Sequence, residues 1–397
     1  MTGVAGVKDL SNLSATVLGA GVAGLASGIA LRRHGAVVRV LEQAAQISEI
    51  GAGLQISPNG TRVLRALGLE PGDFADAAQA VELRDAAGRL VTRMELPAAP
   101  GFFLCHRADL IAALEARLRG LGGRVELLQR AERLEARADG VALHTGTGGC
   151  RVAGLLVGAD GLHAVTRAWL NGAAAPVFTG QVAWRALIPG EGGQAAPVAQ
   201  VFMGPGRHLV SYPLRGGLLR NIVAVEERRE WAAEGWNHPA DPAEMARAFA
   251  GFGGAVPTWL RAVDKAALWG LFRHPVAPHW HDAAGRVALV GDAAHPTLPF
   301  LAQGANMALE DAFVLADALA SASAAGGQPA ALAAYQAARR DRCAAIVRAA
   351  DRNARAYHLR PPLDRIGHTV LRLVGWARPD LPLRRFAWVH GHDVTRA

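Results

Sequence analysis

Cysteine and lysine are scarce in this sequence of 397 residues. Its three cysteines, Cys105, Cys150 and Cys343, are widely spaced and form no CxxC pair, which argues against a disulfide framework and against a thiolate zinc site. Lys8 and Lys265 are the only lysines, so arginine carries almost all of the positive charge. We therefore expect a cytoplasmic protein and no metal centre.

Charge is also sparse, since only 19% of the residues are charged and 51% are hydrophobic. The formal net charge is +8, yet arginine alternates with acidic residues in segments such as 110–140, and no basic run is interleaved with aromatic residues. This pattern favours a cationic surface that attracts anionic substrates and dinucleotides over a nucleic-acid interface. A non-enzymatic, basic nucleotide- or nucleic-acid-binding module is the alternative, and a homodimer is left open.

Residues 10–31 carry no charge and are numerous enough to resemble a membrane span. No basic segment precedes them, and glycines at 19, 21, 24 and 28 would weaken a helix in lipid. The same glycines suit a strand, a tight turn and a buried helix. We expect a soluble protein with no membrane span.

The chain opens with a strand, a helix and a second strand. ATVLG (15–19) and VVRVLE (37–42) are strand-like, and the stretch between them is rich in alanine and leucine. GLLVGAD (154–160) and RVALVGDAA (286–294) are typical of buried strands that end in a loop. This order predicts a parallel α/β domain.

A different pattern covers residues 181–225, where short apolar segments alternate with Gly, Pro and Arg turns. It predicts an antiparallel sheet, which the hairpin pattern of 81–96 could join. Helical periodicity resumes over 305–356, and a tail rich in Pro, Arg and Trp follows. The sequence therefore predicts a second domain inserted into the α/β domain.

Gly19, Gly21 and Gly24 form a G-x-G-x-x-G motif directly after a strand and at the start of a helix. These glycines permit a tight turn, the close approach of a pyrophosphate and helix-on-strand packing, and the helix N-terminus attracts the phosphates. Glu42 ends the next strand, where its carboxylate can bind both ribose hydroxyls. The motif predicts a dinucleotide site that suits FAD or NAD better than NADP.

Five segments in a fixed order resemble the single-component (class A) FAD-dependent aromatic hydroxylases, particularly the branch of salicylate hydroxylase and 3-hydroxybenzoate 6-hydroxylase. The most specific is GRVALVGDAAHPTLPFLAQGANMALEDA (285–312). The sequence departs from the family at Ala164 and Thr166, where the family commonly has Ser and Val. The other four segments are GAGVAG (19–24) with Glu42, EIGAGLQISPNG (49–60), HRADL (106–110) and VGADGLHAVTR (157–167).

The resemblance implies a fold like that of p-hydroxybenzoate hydroxylase, an α/β Rossmann-type FAD domain with an inserted antiparallel β-sheet substrate domain. We assign the FAD domain to 1–75, 101–178 and 276–345. The substrate domain then takes 76–100 and 179–275, and a C-terminal helical segment takes 346–397.

The same resemblance implies the cofactor residues. Asp292 would bind the FAD ribitol, Arg107 would reach FAD near its phosphates, and Asp160 would serve both FAD and the nicotinamide reaction. Asp160 and Asp292 could instead cap helices, and Arg107 could form a surface ion pair. Further cofactor residues are Ala23 in the glycine turn, Gly53 and Leu54 within GAGLQ (51–55), and Pro299, Gly304, Ala305 and Asn306 along the flavin ring.

In the family mechanism, NADH or NADPH reduces the flavin, and O2 then forms a C4a-hydroperoxide that hydroxylates the ring. The sequence has one glycine-rich fingerprint, so the nicotinamide donor would bind transiently. His208 is the candidate base and Tyr212, four positions later on the same strand face, the candidate ring contact. Gln303 is a further catalytic candidate, and Pro299 a further substrate contact.

Arg185 is the candidate partner for a substrate carboxylate, with a structural ion pair as the alternative. His295 is expected to form local hydrogen bonds. The function that the resemblance implies is hydroxylation of a small phenolic or N-heteroaromatic acid. Two alternatives remain open: the same scaffold acting on a polycyclic or non-aromatic substrate, and a flavin-dependent dehydrogenase.

Overall fold

The computed structural model describes residues 9–47, 53–193, 196–228, 230, 232–234, 238–322, 327–378 and 380–396. Residues 49–52, which begin the predicted flavin-facing segments 49–60 and 51–55, therefore lie outside the described residues. Among the described helices, none is long and apolar enough to cross a membrane. The uncharged stretch 10–31 forms a strand and most of a short helix instead.

A five-stranded parallel sheet forms the centre of the first domain, as the sequence predicts. Its central strands are apolar and almost fully buried because both faces of the sheet are covered, which is typical of parallel strands. Helices pack on one face, and the small antiparallel sheet within residues 131–153 packs on the other. The loops at their carboxyl ends carry the glycine turn, Glu42 and Asp292 to one edge. In spatial order the strands are Val287–Leu289, Leu155–Gly158, Ser14–Leu18, Val37–Leu41 and Arg124–Glu126.

An eight-stranded sheet forms the second domain and includes the predicted hairpin. Neighbouring strands among the described residues are antiparallel except Val198–Gly204 and Ala80–Asp85, which are parallel. No short turn joins these two strands, so no hairpin constrains their direction. In spatial order the strands are His238–Ala240, Ala266–Arg273, Val177–Pro189, Leu219–Glu227, Arg207–Leu214, Val198–Gly204, Ala80–Asp85 and Leu90–Glu95.

Two small antiparallel sheets complete the strands. One holds Ala131–Arg137, Gly140–Thr145 and Cys150–Ala153. The other holds Gly53–Ile56, Ala75–Ala77 and Phe103–His106. The second sheet brings Gly53 and Leu54 beside Arg107, because the strand Phe103–His106 pairs with Gly53–Ile56 and ends one residue before Arg107.

The predicted helical region 305–356 forms two helices, Gly304–Ala322 and Gly327–Tyr357. The second helix runs through position 345, so the assigned boundary between 345 and 346 falls inside a helix and not at a linker. The tail is helical as well. The remaining helices are Val22–Arg33, Pro58–Ala66, Arg107–Gly120, Val165–Asn171, Pro242–Ala248, Val256–Arg261, Leu363–Ala377, Leu381–Arg384 and Ala387–His390.

Candidate active site

The glycine turn leaves room for a pyrophosphate at one point only. Gly19 has φ +102°, and a Cβ there would lie 2.4 Å from the Ala159 carbonyl oxygen. A Cβ at Gly24 would lie 1.9 Å from the Gly19 carbonyl oxygen, so these two glycines allow the turn and the helix packing. At Gly21 a Cβ would meet nothing within 4 Å. The helix Val22–Arg33 begins there without a side-chain cap, which fits a phosphate held by backbone N–H groups.

Glu42 is fixed beside this turn by two hydrogen bonds. Its Oε2 accepts the backbone N–H of Ala20 at 2.8 Å, and its Oε1 accepts that of Ala44 at 2.9 Å. Each carboxylate oxygen can accept more than one hydrogen bond, so acceptor capacity remains for ribose hydroxyls. The ribose contact stays a prediction.

Asp292 and Arg107 line a cavity with a volume of about 410 Å3. Burial raises the pKa of the Asp292 carboxyl, and the nearby cations of His295 and Arg107 lower it in part. Burial likewise lowers the pKa of Arg107, and Asp292 raises it. The Asp292 carboxylate can accept hydrogen bonds from a polar cofactor and the Arg107 guanidinium can donate them, so this pair of groups fits FAD.

Asp160 holds the start of a helix. Its two carboxylate oxygens accept the Thr166 backbone N–H at 3.0 Å and the Thr166 hydroxyl at 2.5 Å. Asp160 therefore makes the helix-capping contact that the sequence left open as an alternative to FAD binding. Its neighbours Ala159 and Gly161 line the cavity, while Asp160 itself does not. A direct role for Asp160 toward FAD stays a prediction.

The loop 299–306 is anchored by side-chain amides. Gln303 donates to the Ser57 hydroxyl at 3.0 Å and accepts from Asn59 at 3.2 Å. Asn306 accepts the Ser57 backbone N–H at 3.0 Å and donates to the carbonyl oxygens of Gln55 and Ala302. These bonds occupy the Asn306 amide, and its side chain is not on the cavity wall. It thus acts here as an anchor for the loop.

The helix Gly304–Ala322 begins at the cavity, with Gly304 and Ala305 on its wall. The first backbone N–H groups of a helix have no partner within the helix. They lie at Gly304 and Ala305, which the sequence predicts along the flavin ring. The polar edge of a reduced flavin ring is the kind of group that such an N-terminus stabilises.

His208 and Tyr212 share one face of the strand Arg207–Leu214 and both line the cavity. Both side chains are almost completely buried. Burial lowers the pKa of His208 well below its usual value, and His358 lowers it further. Burial raises the pKa of Tyr212. His208 is therefore neutral at neutral pH and has a nitrogen lone pair that can take a proton.

Arg185, from the strand Val177–Pro189, brings a second cation to the cavity. Its guanidinium carbon lies 4.9 Å from the centre of the Trp269 ring. Burial lowers the pKa of Arg185 to about 10, with a further contribution from Arg107. The group stays protonated at neutral pH, and its low exposure strengthens its attraction for an anion.

The cavity brings most of the predicted site residues together. On its wall are Gly21, Ala23, Gly53, Leu54, Arg107, Arg185, His208, Tyr212, Asp292, Pro299, Gln303, Gly304 and Ala305. Not on it are Gly19, Gly24, Glu42, Asp160 and Asn306. The local hydrogen bond expected of His295 is confirmed, because its Nε2 lies 2.5 Å from Asp311 Oδ2.

The C-terminal part of the site was not predicted from the sequence. Asn353 and Tyr357 from the helix Gly327–Tyr357, and Phe386 and His390 near the end of the chain, line the cavity. His358 contacts His208 directly, with 2.7 Å between Nε2 and Nδ1. These residues are far from the recognised segments and form no motif. The only feature of the sequence that pointed to this part of the site was the helical periodicity over 305–356.

Comparisons with known proteins agree with this geometry. A family model described as "FAD binding domain" matches residues 12–350. The chain is 37% identical over 393 residues to the 3-amino-4-hydroxybenzoate 2-monooxygenase PtmB3 of Streptomyces platensis, with 96% of each chain covered. It is 35% identical over 370 residues to a 3-hydroxybenzoate 6-hydroxylase of Polaromonas naphthalenivorans, with 88% of this chain and 89% of that one covered.

Similarity to solved structures extends over nearly the whole chain. The crystal structure of Klebsiella pneumoniae HpxO complexed with FAD and uric acid has a TM-score of 0.79 and 27% identity to this chain. The alignment covers 93% of this chain and 95% of HpxO.

Proposed function

The chain belongs to the FAD-dependent aromatic hydroxylases, the class A flavin monooxygenases, and we propose that its substrate is a benzoate with a phenolic hydroxyl group. The enzyme uses FAD, NAD(P)H and O2 to hydroxylate a small aromatic compound. One observation carries the substrate proposal: Arg185, His208 and Tyr212 line the same cavity as Asp292 and Arg107. The named relatives act on amino- and hydroxybenzoates.

The residues that would hold FAD form a continuous set. The turn at Gly21 would accept the pyrophosphate, Glu42 the ribose hydroxyls, Asp292 the ribitol and Arg107 the phosphate region. Bound FAD supplies the electron transfer from the nicotinamide donor to O2 and the transfer of one oxygen atom to the ring. The apolar part of the cavity wall would keep water from this reaction.

The substrate would be held at both polar ends. The Arg185 guanidinium would pair with the carboxylate, and this pair is strong because it is sheltered from water. His208 would take the phenolic proton, which makes the ring a better nucleophile. Tyr212 would contact the ring from the same strand face. A ring with a phenol and a carboxylate has one group for the imidazole and one for the guanidinium, and both side chains line the same cavity.

The cellular location of the enzyme and its lack of nucleic-acid binding are proposals as well. We propose a cytoplasmic enzyme, because the three cysteines are free in the structure and reducing compartments maintain free thiols. We propose that it does not bind nucleic acid, since the sequence has no basic run interleaved with aromatic residues. Light scattering would measure whether the enzyme is a homodimer.

Oxygen consumption tests the proposed function. Purified holoenzyme with NADH or NADPH should consume O2 faster when 3-hydroxybenzoate or 3-amino-4-hydroxybenzoate is added, and the product should gain one oxygen atom. Benzoate and phenol are matched controls, because each lacks one of the two polar groups. Stimulation and product formation with benzoate equal to those with 3-hydroxybenzoate would refute the phenol requirement. Product from hydroxynicotinate alone would move the substrate to the N-heteroaromatic acids.

A further inference from the structure

Four polar side chains form a line from the cavity to the surface. His208 Nδ1 lies 2.7 Å from His358 Nε2, and His358 Nδ1 lies 3.2 Å from Glu227 Oε1. The other oxygen of Glu227 accepts from Arg360 at 2.7 Å. Exposure rises along the line, since the side chains of His358, Glu227 and Arg360 are 3%, 38% and 71% exposed.

The hydrogen bonds in this line fix where the protons lie. The pKa of Glu227 is lowered: its burial acts to raise it, but Arg360 and His358 outweigh that effect. An ionised carboxylate only accepts, so the proton of His358 is on Nδ1. Nε2 of His358 must then accept, which puts the proton of His208 on Nδ1. The free lone pair of His208 is consequently on Nε2.

A second arrangement would need Gln181 as the donor to His358 Nδ1. That amide nitrogen lies 3.4 Å away, further than the Glu227 oxygen. It would also leave His208 with a proton on Nε2 and unable to act as a base there. The shorter contact to a charged acceptor favours the first arrangement.

We propose that His358 is a positioning residue that relays the substrate's phenolic proton from His208 to Glu227 at the protein surface. The inference rests on the proposed function, because it needs a phenolic substrate and His208 as the first acceptor. It adds a route by which the proton leaves the cavity. It also gives a role to His358 and Glu227, which lie outside the recognised motifs.

The relay balances in protons without any further reactant. The substrate O–H bond breaks as an N–H bond forms at His208 Nε2. The N–H bond at His208 Nδ1 then breaks as one forms at His358 Nε2. Finally the N–H bond at His358 Nδ1 breaks, and Glu227 or water at the surface takes the proton. Both imidazoles are then neutral again, with the proton of each ring on Nε2 instead of Nδ1. The starting tautomers are restored when each ring turns or exchanges its proton with solvent.

Burial explains why a relay is useful. The ring of His208 packs against Phe300 and Tyr357, with ring centres 5.6 and 5.2 Å away, so a cation on it would be poorly solvated. Burial also lowers the pKa of His358, but the Glu227 carboxylate beside it acts to raise that pKa and so favours the protonated form. Arg207 and Arg360 act in the opposite direction, which keeps His358 from retaining the proton.

Proton release on ligand binding tests the relay without turnover. Oxidised, FAD-loaded enzyme is mixed with 3-amino-4-hydroxybenzoate in weak buffer with a pH indicator and no nicotinamide donor. His358→Gln keeps a hydrogen-bonding amide for His208 but cannot pass a proton on. We expect it to slow proton release about tenfold or more. His368→Gln, on the neighbouring helix Leu363–Ala377, is the matched control and should release protons at the wild-type rate.

A second variant covers the case in which His358→Gln does not load FAD. Glu227→Gln removes the terminal acceptor near the surface and should also slow the release, by a smaller factor. Addition of imidazole to His358→Ala should restore part of the rate, which a purely structural role would not predict. A wild-type rate in both His358→Gln and Glu227→Gln overturns the relay. If His208→Gln also keeps the wild-type rate, the base in the proposed function is wrong as well.

Discussion

Glu42 accepts a hydrogen bond from the backbone N–H of Ala20 at 2.8 Å. The bond joins the end of one parallel strand to the glycine turn that follows its neighbour. The residue that would bind the ribose is thus also part of the turn that would bind the pyrophosphate. Loss of the Glu42 charge should therefore weaken the binding of both the ribose and the pyrophosphate of FAD.

The first prediction follows from this contact. Glu42→Ala removes the acceptor for ribose, and a hydrogen bond to a charged group contributes about 1.5–3 kcal/mol. The Kd of the apoenzyme for FAD should therefore rise roughly ten- to 150-fold, as measured by quenching of flavin fluorescence. Glu126→Ala, on the adjacent edge strand, is the control and should bind FAD normally. Unchanged affinity in Glu42→Ala would show that this carboxylate does not bind the cofactor.

Gly53 permits Tyr212 to approach the cavity. A Cβ at position 53 would lie 2.5 Å from Tyr212 Cε2 and 2.7 Å from Asn221 Cγ. Gly53→Ala should displace the Tyr212 ring and destabilise the fold by about 1–3 kcal/mol, with weaker binding of 3-hydroxybenzoate. Gly72→Ala is the matched control, because a Cβ there meets nothing within 4 Å. Equal ligand affinity and unfolding free energy in the two variants would contradict the prediction.

Arg185 should contribute to binding only when the ligand has a carboxylate. We expect Arg185→Gln to raise the Kd of 3-hydroxybenzoate roughly ten- to 150-fold. Phenol lacks the carboxylate and serves as the control ligand, so its Kd should change little. Titration by flavin absorbance checks both values. If both ligands lose affinity equally, Arg185 acts through packing on Trp269 and not through charge.

The buried ion network of Asp311 should make folding sensitive to acid. Burial acts to raise the pKa of Asp311, but His295 and Arg339 outweigh it and leave the pKa at about 2. The stabilisation is present above the pKa of the unfolded chain and is lost as pH falls from about 4 through 2. Asp311→Asn leaves buried cations poorly paired and should cost about 3–5 kcal/mol at pH 7.

Thermal unfolding between pH 7 and pH 2 measures this effect. The melting temperature of Asp311→Asn should fall less steeply below pH 4 than that of the wild type, because the titrating carboxyl is gone. Asp380→Asn breaks an exposed pair with Arg384 and is the control, with an expected change of about 0–1 kcal/mol. A similar small change in Asp311→Asn would mean that the buried network is not stabilising.

Local patterns predicted the parallel strands, the hairpin and the glycine turn because each depends on residues close in sequence. Contacts between distant segments left no such pattern. The pair His208 and His358 is separated by 150 positions, and neither residue belongs to a motif with the other. The parallel pairing of Ala80–Asp85 with Val198–Gly204 is equally non-local. The anchoring role of Asn306 was missed because the family motif gives the residue type but not the direction of its side chain.

The last prediction concerns the base. A general base typically contributes about 10²–10⁴-fold, so His208→Ala should slow hydroxylation by a factor in that range. Reduction of the flavin by the nicotinamide donor should suffer less, because hydride transfer does not require the phenolic proton. Donor oxidation would then continue while less product forms, and hydrogen peroxide would be released. The ratio of hydroxylated product to donor oxidised is the measurement, and His144→Ala is the control because His144 does not line the cavity.

The pH profile separates a base from a residue that only shapes the cavity. Burial and His358 lower the pKa of His208 well below 6.5, so the wild-type product-forming rate should hold at neutral pH. It should decline only as pH falls through that low pKa, where the imidazole becomes protonated and can no longer accept a proton. His208→Ala should lose this acidic decline as well as its rate. A variant with a full product yield and an unshifted profile would exclude His208 as the base and make Gln303, Tyr212 and His106 the next side chains to replace.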